Sequence, residues 1–187
     1  MKSDREHDGL VGPVQAVVIE LEDCPEQEGD QTFGPRTPLL TLRYDVGGKR
    51  VGERSYSSLH REFAAGDCVA TNDTEGKIGA LFCFANGKFL NKVMPTYDDN
   101  NRIIKELFCD ALGNPSYQRE HEYDLRGNPI RMTYAKLDGT ISDKLKYENE
   151  YDSVGNLIKT TVLRWSTENG NSFYKPTTIT HRTITYY

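Results

Sequence analysis

A chain of 187 residues has room for one ordinary domain or one short repeat array, and only 36% of it is apolar. That supply suits a sheet packed on one face and wet on the other, and it excludes a doubly wound α/β enzyme with its near-continuous hydrophobic strands. The net charge of -5, without a Lys/Arg run, excludes non-specific nucleic-acid binding, and no stretch approaches the roughly 18 apolar residues of a membrane span.

In chain order, residues 1–10 are charged and predict a flexible lead without a signal peptide, so the chain as it stands reads as cytoplasmic, or as secreted or cell-surface if a leader was removed. Residues 14–22 and 38–44 read as strands, separated by a Glu/Gly/Pro-rich loop. Tyr44-Asp45-Val46-Gly47-Gly48 then introduces a turn that keeps returning. Residues 57–65 are the one helix candidate, with Ser58 as cap and Gly66 as stop, set against an irregular strand. Weaker turn copies follow at Asp73 to Gly76 and at Asn86-Gly87. Clear ones come at Tyr97-Asp98-Asp99-Asn100-Asn101, Cys109-Asp110-Ala111-Leu112-Gly113-Asn114, Tyr123-Asp124-Leu125-Arg126-Gly127-Asn128 and Tyr151-Asp152-Ser153-Val154-Gly155-Asn156. Asp110, Asp124, Asp138 and Asp152 recur every 14 residues, with a turn that shortens to Asp138-Gly139 at the third. Residues 157–165 are β-branched, Glu168-Asn169-Gly170 is another weak copy, and the Thr-rich, aromatic residues 177–187 close the chain.

The recurring pattern has a physical reading. Asp at the first position of a type I turn accepts N–H bonds from the residues that follow. Gly three positions later, or Asn at Asn101, supplies the left-handed conformation that closes a hairpin with a bulge. The preceding Tyr ends the incoming strand and packs across onto its neighbour. The structural turn residues are therefore Asp45, Gly48, Asp98, Asn101, Asp110, Gly113, Asp124, Gly127, Asp138, Gly139, Asp152 and Gly155. With eight to eleven residues between tips, the prediction is an all-β antiparallel meander of hairpins in a single domain, 1–187, with at most one short helix.

Tyr123-Asp124-x-x-Gly127-Asn128 and Tyr151-Asp152-x-x-Gly155-Asn156 resemble the YD repeats of the bacterial Rhs and teneurin-like family. The convincing stretch covers 97–165, and the opening Gly9-Leu10-Val11-Gly12-Pro13-Val14 is similar to the start of short standalone members. The resemblance implies a long twisted sheet of successive hairpins, which in large members encloses a toxin or presents an adhesive surface. This chain is too short to close such a shell and carries no self-cleavage motif, so encapsulation is not implied. The shared positions are turn formers, and they imply no catalytic site.

Other chemistry is thinly signalled. His7, His60, His121 and His181 have no metal-ligand spacing, and no metal or organic cofactor is expected. Ser57, Ser58, His60 and Glu62 lack the surroundings of a nucleophile elbow. The turn aspartates are already explained, which weakens a two-carboxylate glycosidase reading. Cys24, Cys68, Cys83 and Cys109 form neither a zinc pattern nor a disulfide framework, and free buried thiols are expected. Eleven tyrosines and one tryptophan leave aromatics beyond those at the tips. Tyr117, Tyr134, Tyr147, Trp165 and Tyr174 are the candidate binding face. The expected function is non-enzymatic: an interaction or structural module for a protein partner, in one version an immunity or chaperone-like role beside a toxin. A carbohydrate-binding surface is the alternative, and a hydrolase the third class.

Overall fold

A computed structural model describes residues 2–23, 33–52, 55–56, 67–74, 76–85 and 88–187. The helix expected at 57–65, the Asn86-Gly87 turn and Cys24 lie outside the described residues. The strands are β1 (Val14–Asp23), β2 (Thr37–Arg43), β3 (Ser55–Tyr56), β4 (Asp67–Asn72), β5 (Ile78–Ala85) and β6 (Lys88–Tyr97). Then come β7 (Ile103–Cys109), β8 (Pro115–Tyr123), β9 (Pro129–Lys136), β10 (Ile141–Tyr151), β11 (Leu157–Glu168) and β12 (Asn171–Tyr186). The fold is all-β and antiparallel, a meander of hairpins. The chain divides into two compact units. One is Met1–Arg61, Tyr147–Leu163 and Tyr174–Tyr187; the other is Glu62–Lys146 and Arg164–Phe173. They are called the first and second units.

In the second unit the strands follow chain order, β4 to β10, each bonded to the next. Six turns share one geometry. The N–H of Asp45, Asp73, Asp98, Asp110, Asp124 and Asp152 donates to the carbonyl four residues on, and the residue three on donates back to the Asp carbonyl. The N–H of the fourth residue (Lys49, Lys77, Arg102, Asn114, Asn128 or Asn156) donates to the Asp carboxylate at 2.8–2.9 Å. The register slips beside the turns, between Thr96 and Tyr97, Phe108 and Cys109, and Glu122 and Tyr123, as a bulged hairpin requires. The tip tyrosine latches the strand end. Tyr97 donates its hydroxyl to the Ile78 carbonyl at 3.1 Å, and Tyr123 to that of Ile103 at 2.7 Å.

The turn at Asp138 is not shortened, contrary to expectation. Lys136 takes the first position, accepting the Gly139 N–H and donating to Thr140, while Asp138 sits two residues in and accepts only from Thr140. The invariant of the repeat is the left-handed residue, at φ 85–103° for Gly113, Gly127, Gly139 and Gly155, rather than the aspartate. Asn169 and Gly170 both have positive φ and close β11 to β12 in a two-residue turn of the type that matches strand twist.

Two findings were not foreseen. Cys68 and Cys83 form a disulfide, where free thiols were expected. They are directly opposed in the β4–β5 register with Cα atoms 4.2 Å apart, a pairing that requires the hairpin to be placed first. Cys109 is free and buried, as expected. The lead expected to be flexible holds a single helical turn, α1 (Asp4–His7), with a reciprocal Ser3–Glu6 capping box. It docks on the first repeat turn: the Arg5 N–H donates to the Gly48 carbonyl, the Arg50 N–H to Asp4, and the Arg50 guanidinium to Asp8 at 2.7 Å.

In the first unit β1 leaves chain order by pairing with β12 on one side and β2 on the other. Leu10, Val14, Val17, Leu42 and Tyr44 form the buried cluster there, with Ile19, Leu40, Ile184 and Tyr186 packed against it.

Candidate interaction surface

In the second unit a polar row crosses the sheet. Glu106 of β7 stands opposite Arg119 of β8, which stands opposite Tyr134 of β9, itself opposite Asp143 of β10. Arg119 donates to Glu106 at 2.5 Å and to the Tyr134 hydroxyl at 3.5 Å, and His121 meets the same Glu106 oxygen at 2.7 Å. Arg164 forks onto Asp143 at 2.6 and 2.9 Å. Glu106 is 7% exposed. Its burial alone would raise its pKa, but the bonds from His121 and Arg119 outweigh that and hold it down at about 2. Bonding to Glu106 in turn raises the pKa of Arg119.

This row is a structural clamp. With a folded-state pKa below the model value of 4.5, Glu106 binds its proton more readily once unfolded. Its stabilisation is fully present above that value and is lost as the pH falls from 4.5 toward 2. Thermal melts of Glu106→Gln should therefore start lower at neutral pH and decline less steeply than wild type through that window; parallel declines would refute the clamp.

The aromatics of the candidate face are divided. Tyr117 stacks on Phe108, with ring centroids 4.2 Å apart at 12°, and Tyr134 flanks the same cluster through Arg119, which lies over both Phe108 and Tyr134. Burial raises the Tyr117 pKa. Trp165 carries the Lys144 ammonium over its ring at 5.4 Å, whereas Asp143, one residue earlier in β10, faces Tyr134. Successive strand residues point to opposite faces, so Trp165 lies on the other side of the sheet from Tyr134. Tyr147 and Tyr174 are half-buried and belong to the first unit. Of the five, Tyr117 and Tyr134 are brought together.

Among the described residues, the two most exposed large apolar side chains, Leu125 and Leu112, are at the tips. Leu112 is 86% exposed, Leu125 107% and Leu137 52%, each at a middle position of its turn, between the first residue and the left-handed glycine. Turns alternate ends in a meander, so Leu112 (β7–β8) and Leu137 (β9–β10) share one end, two strand spacings or about 10 Å apart. Leu125 lies at the opposite end. The apolar character of the free positions was visible in Leu112 and Leu125, but the tyrosines drew the sequence reading away from it.

His121 and His181 each meet a glutamate, Glu106 and Glu22, at 2.7 Å, and no group of three or more His, Cys, Asp or Glu among the described residues is placed to hold a metal. Ser57, Ser58, His60 and Glu62 lie outside the described residues. Among those described, no helix is long and apolar enough to cross a membrane.

No family model and no curated protein matches the chain. Among solved structures, it is similar to a porin-like protein from Bacteroides uniformis ATCC 8492, 11% identical, over 94% of this chain and 98% of that one, with a TM-score of 0.30. A likeness that low carries no argument about this chain.

Proposed function

We propose that the chain is a non-enzymatic β-repeat interaction module that binds a protein partner through its hairpin tips. The observation that carries this reading is the exposure of Leu112 and Leu137 at one end of the second unit. Polar residues would serve equally in these turn positions, and each leucine contributes about 1.5–3 kcal/mol when a partner covers it. The rigid turns support the same reading, since a pre-ordered tip loses little entropy on docking.

The test is cross-linking from the tips to recover a partner from the source cells, then titration of that purified partner. Leu112→Ser and Leu137→Ser should each weaken binding about tenfold, following the loss of at least 1.4 kcal/mol, while Leu125→Ser should not. Equal affinity for all three variants, or no stoichiometric partner, would overturn the reading. The carbohydrate alternative rests on the Phe108–Tyr117 stack, where the Tyr117 ring, 36% exposed, offers a flat apolar surface. A glycan array that lights up with wild type and darkens with Tyr117→Ala would favour it.

A further inference from the structure

The face of β1, β2 and β12 that carries the first unit's core is apolar at every position of two successive rows but one. Val17 stands between Leu42 and Ile184, and Ile19 stands between Leu40 and Arg182. Val17 is 2% exposed and Leu42 8%, and Ile19, Leu40 and Ile184 pack on the same cluster. Arg182 therefore occupies a place where an aliphatic side chain would complete the second row.

Arg182 is half-buried, and among the described residues it makes no ion pair and no side-chain hydrogen bond. The other arginines drawn into the sheets are matched: Arg50 by Asp8, Arg102 by Asp98, Arg119 by Glu106 and Arg164 by Asp143. Beside Arg182 the interacting group is the Tyr151 phenol, and burial lowers the arginine pKa. A guanidinium does not shed its charge at physiological pH, and taking it from water without a counter-charge is costly. Arg182 nevertheless keeps part of its surface in contact with solvent.

We propose that this face binds an anionic amphiphile, a long-chain carboxylate whose head is held by the Arg182 fork and whose chain lies over Ile184, Ile19 and Leu40. The planar fork matches a carboxylate in bidentate geometry, and three strands provide about 10 Å of apolar width for the chain. Head and tail are recognised together, and neither suffices alone.

Calorimetric titration of the full chain with dodecanoate, dodecanol and acetate tests this. Dodecanoate should bind once per chain, at least tenfold tighter than dodecanol, and acetate should not bind measurably. Arg182→Met should weaken dodecanoate at least tenfold and erase its advantage over dodecanol. The same variant should melt no lower than wild type, because it removes an uncompensated charge from an apolar row. Absence of dodecanoate binding, or equal binding by Arg182→Met, would overturn the proposal. So would a clear fall in the melting temperature of Arg182→Met, which would mean that Arg182 is a structural residue.

Discussion

Gly127→Val should destabilise the protein by about 1–3 kcal/mol, Gly127→Asn by much less, and Ser153→Ala hardly at all. Gly127 has φ +87°, where a β-branched residue is strained and asparagine is tolerated; Asn101 already adopts φ 61° at the equivalent turn position. A side chain there meets only Arg102, at 3.8 Å from Cδ and 4.0 Å from Nη1, ordinary contacts, so backbone strain alone sets the cost. Gly48 is the contrasting case. Its φ is +84°, but an added Cβ would fall 2.9 Å from Ser3 Oγ and 3.2 Å from Arg5 Cζ. Asparagine should therefore fail to rescue Gly48, and Gly48→Asn should fall with Gly48→Val, both displacing α1 from the turn. Urea melts of the four glycine variants and of Ser153→Ala give the order directly. Valine and asparagine costing the same at Gly127 would mean that its left-handed conformation is not what the turn selects.

This contrast also marks how far the sequence could be read. The turns were legible because each is local: an aspartate and a left-handed residue three positions on close a hairpin whatever surrounds it. The spacing of Asp138 misled because a 14-residue period of one residue type looks like a repeat even when the turn beneath it has slid by two positions. The Ser3-x-x-Glu6 capping box was legible too, but the charged lead around it reads as solvated, and only the docking of Arg5 on Gly48 shows what holds it. Contacts between distant segments leave no such local trace. The Cys68–Cys83 bond depends on a register, β1 meets β12 across nearly the whole chain, and Arg182 becomes unusual only once Ile19 is seen beside it. The aromatic face was an argument from composition, and strand parity separated Trp165 from Tyr134.

Asn156→Leu should cost about 2–4 kcal/mol, whereas Asn114→Leu at the same position of another repeat should stay within about 0.5 kcal/mol. Both asparagines follow the turn glycine, and both donate their backbone N–H to the turn aspartate at 2.8–2.9 Å. Leucine keeps that bond, so the comparison isolates the side chains. The Asn114 amide is exposed and reaches only Asp110, at 3.4 Å. Asn156 is 1% exposed, and its amide acts as a piece of backbone. Its oxygen accepts the Val11 N–H at 2.6 Å, and its nitrogen donates to the Val11 carbonyl at 2.8 Å and to the Tyr186 hydroxyl at 2.7 Å. Tyr186 in turn donates to Asp152, so the turn that begins at Asp152 also fastens β12. One side chain thus pairs a segment 145 residues away as a strand would, beside the buried Leu10. Leucine would strand both Val11 groups, at about 1–3 kcal/mol for each group left unpaired. The loss should appear in urea melts and, more locally, as faster hydrogen exchange at the Val11 amide, with the second unit's hairpin amides unchanged. Equal melts for the two leucine variants, or a Val11 amide that exchanges as slowly as in wild type, would show that the chain's opening is held by something other than this repeat.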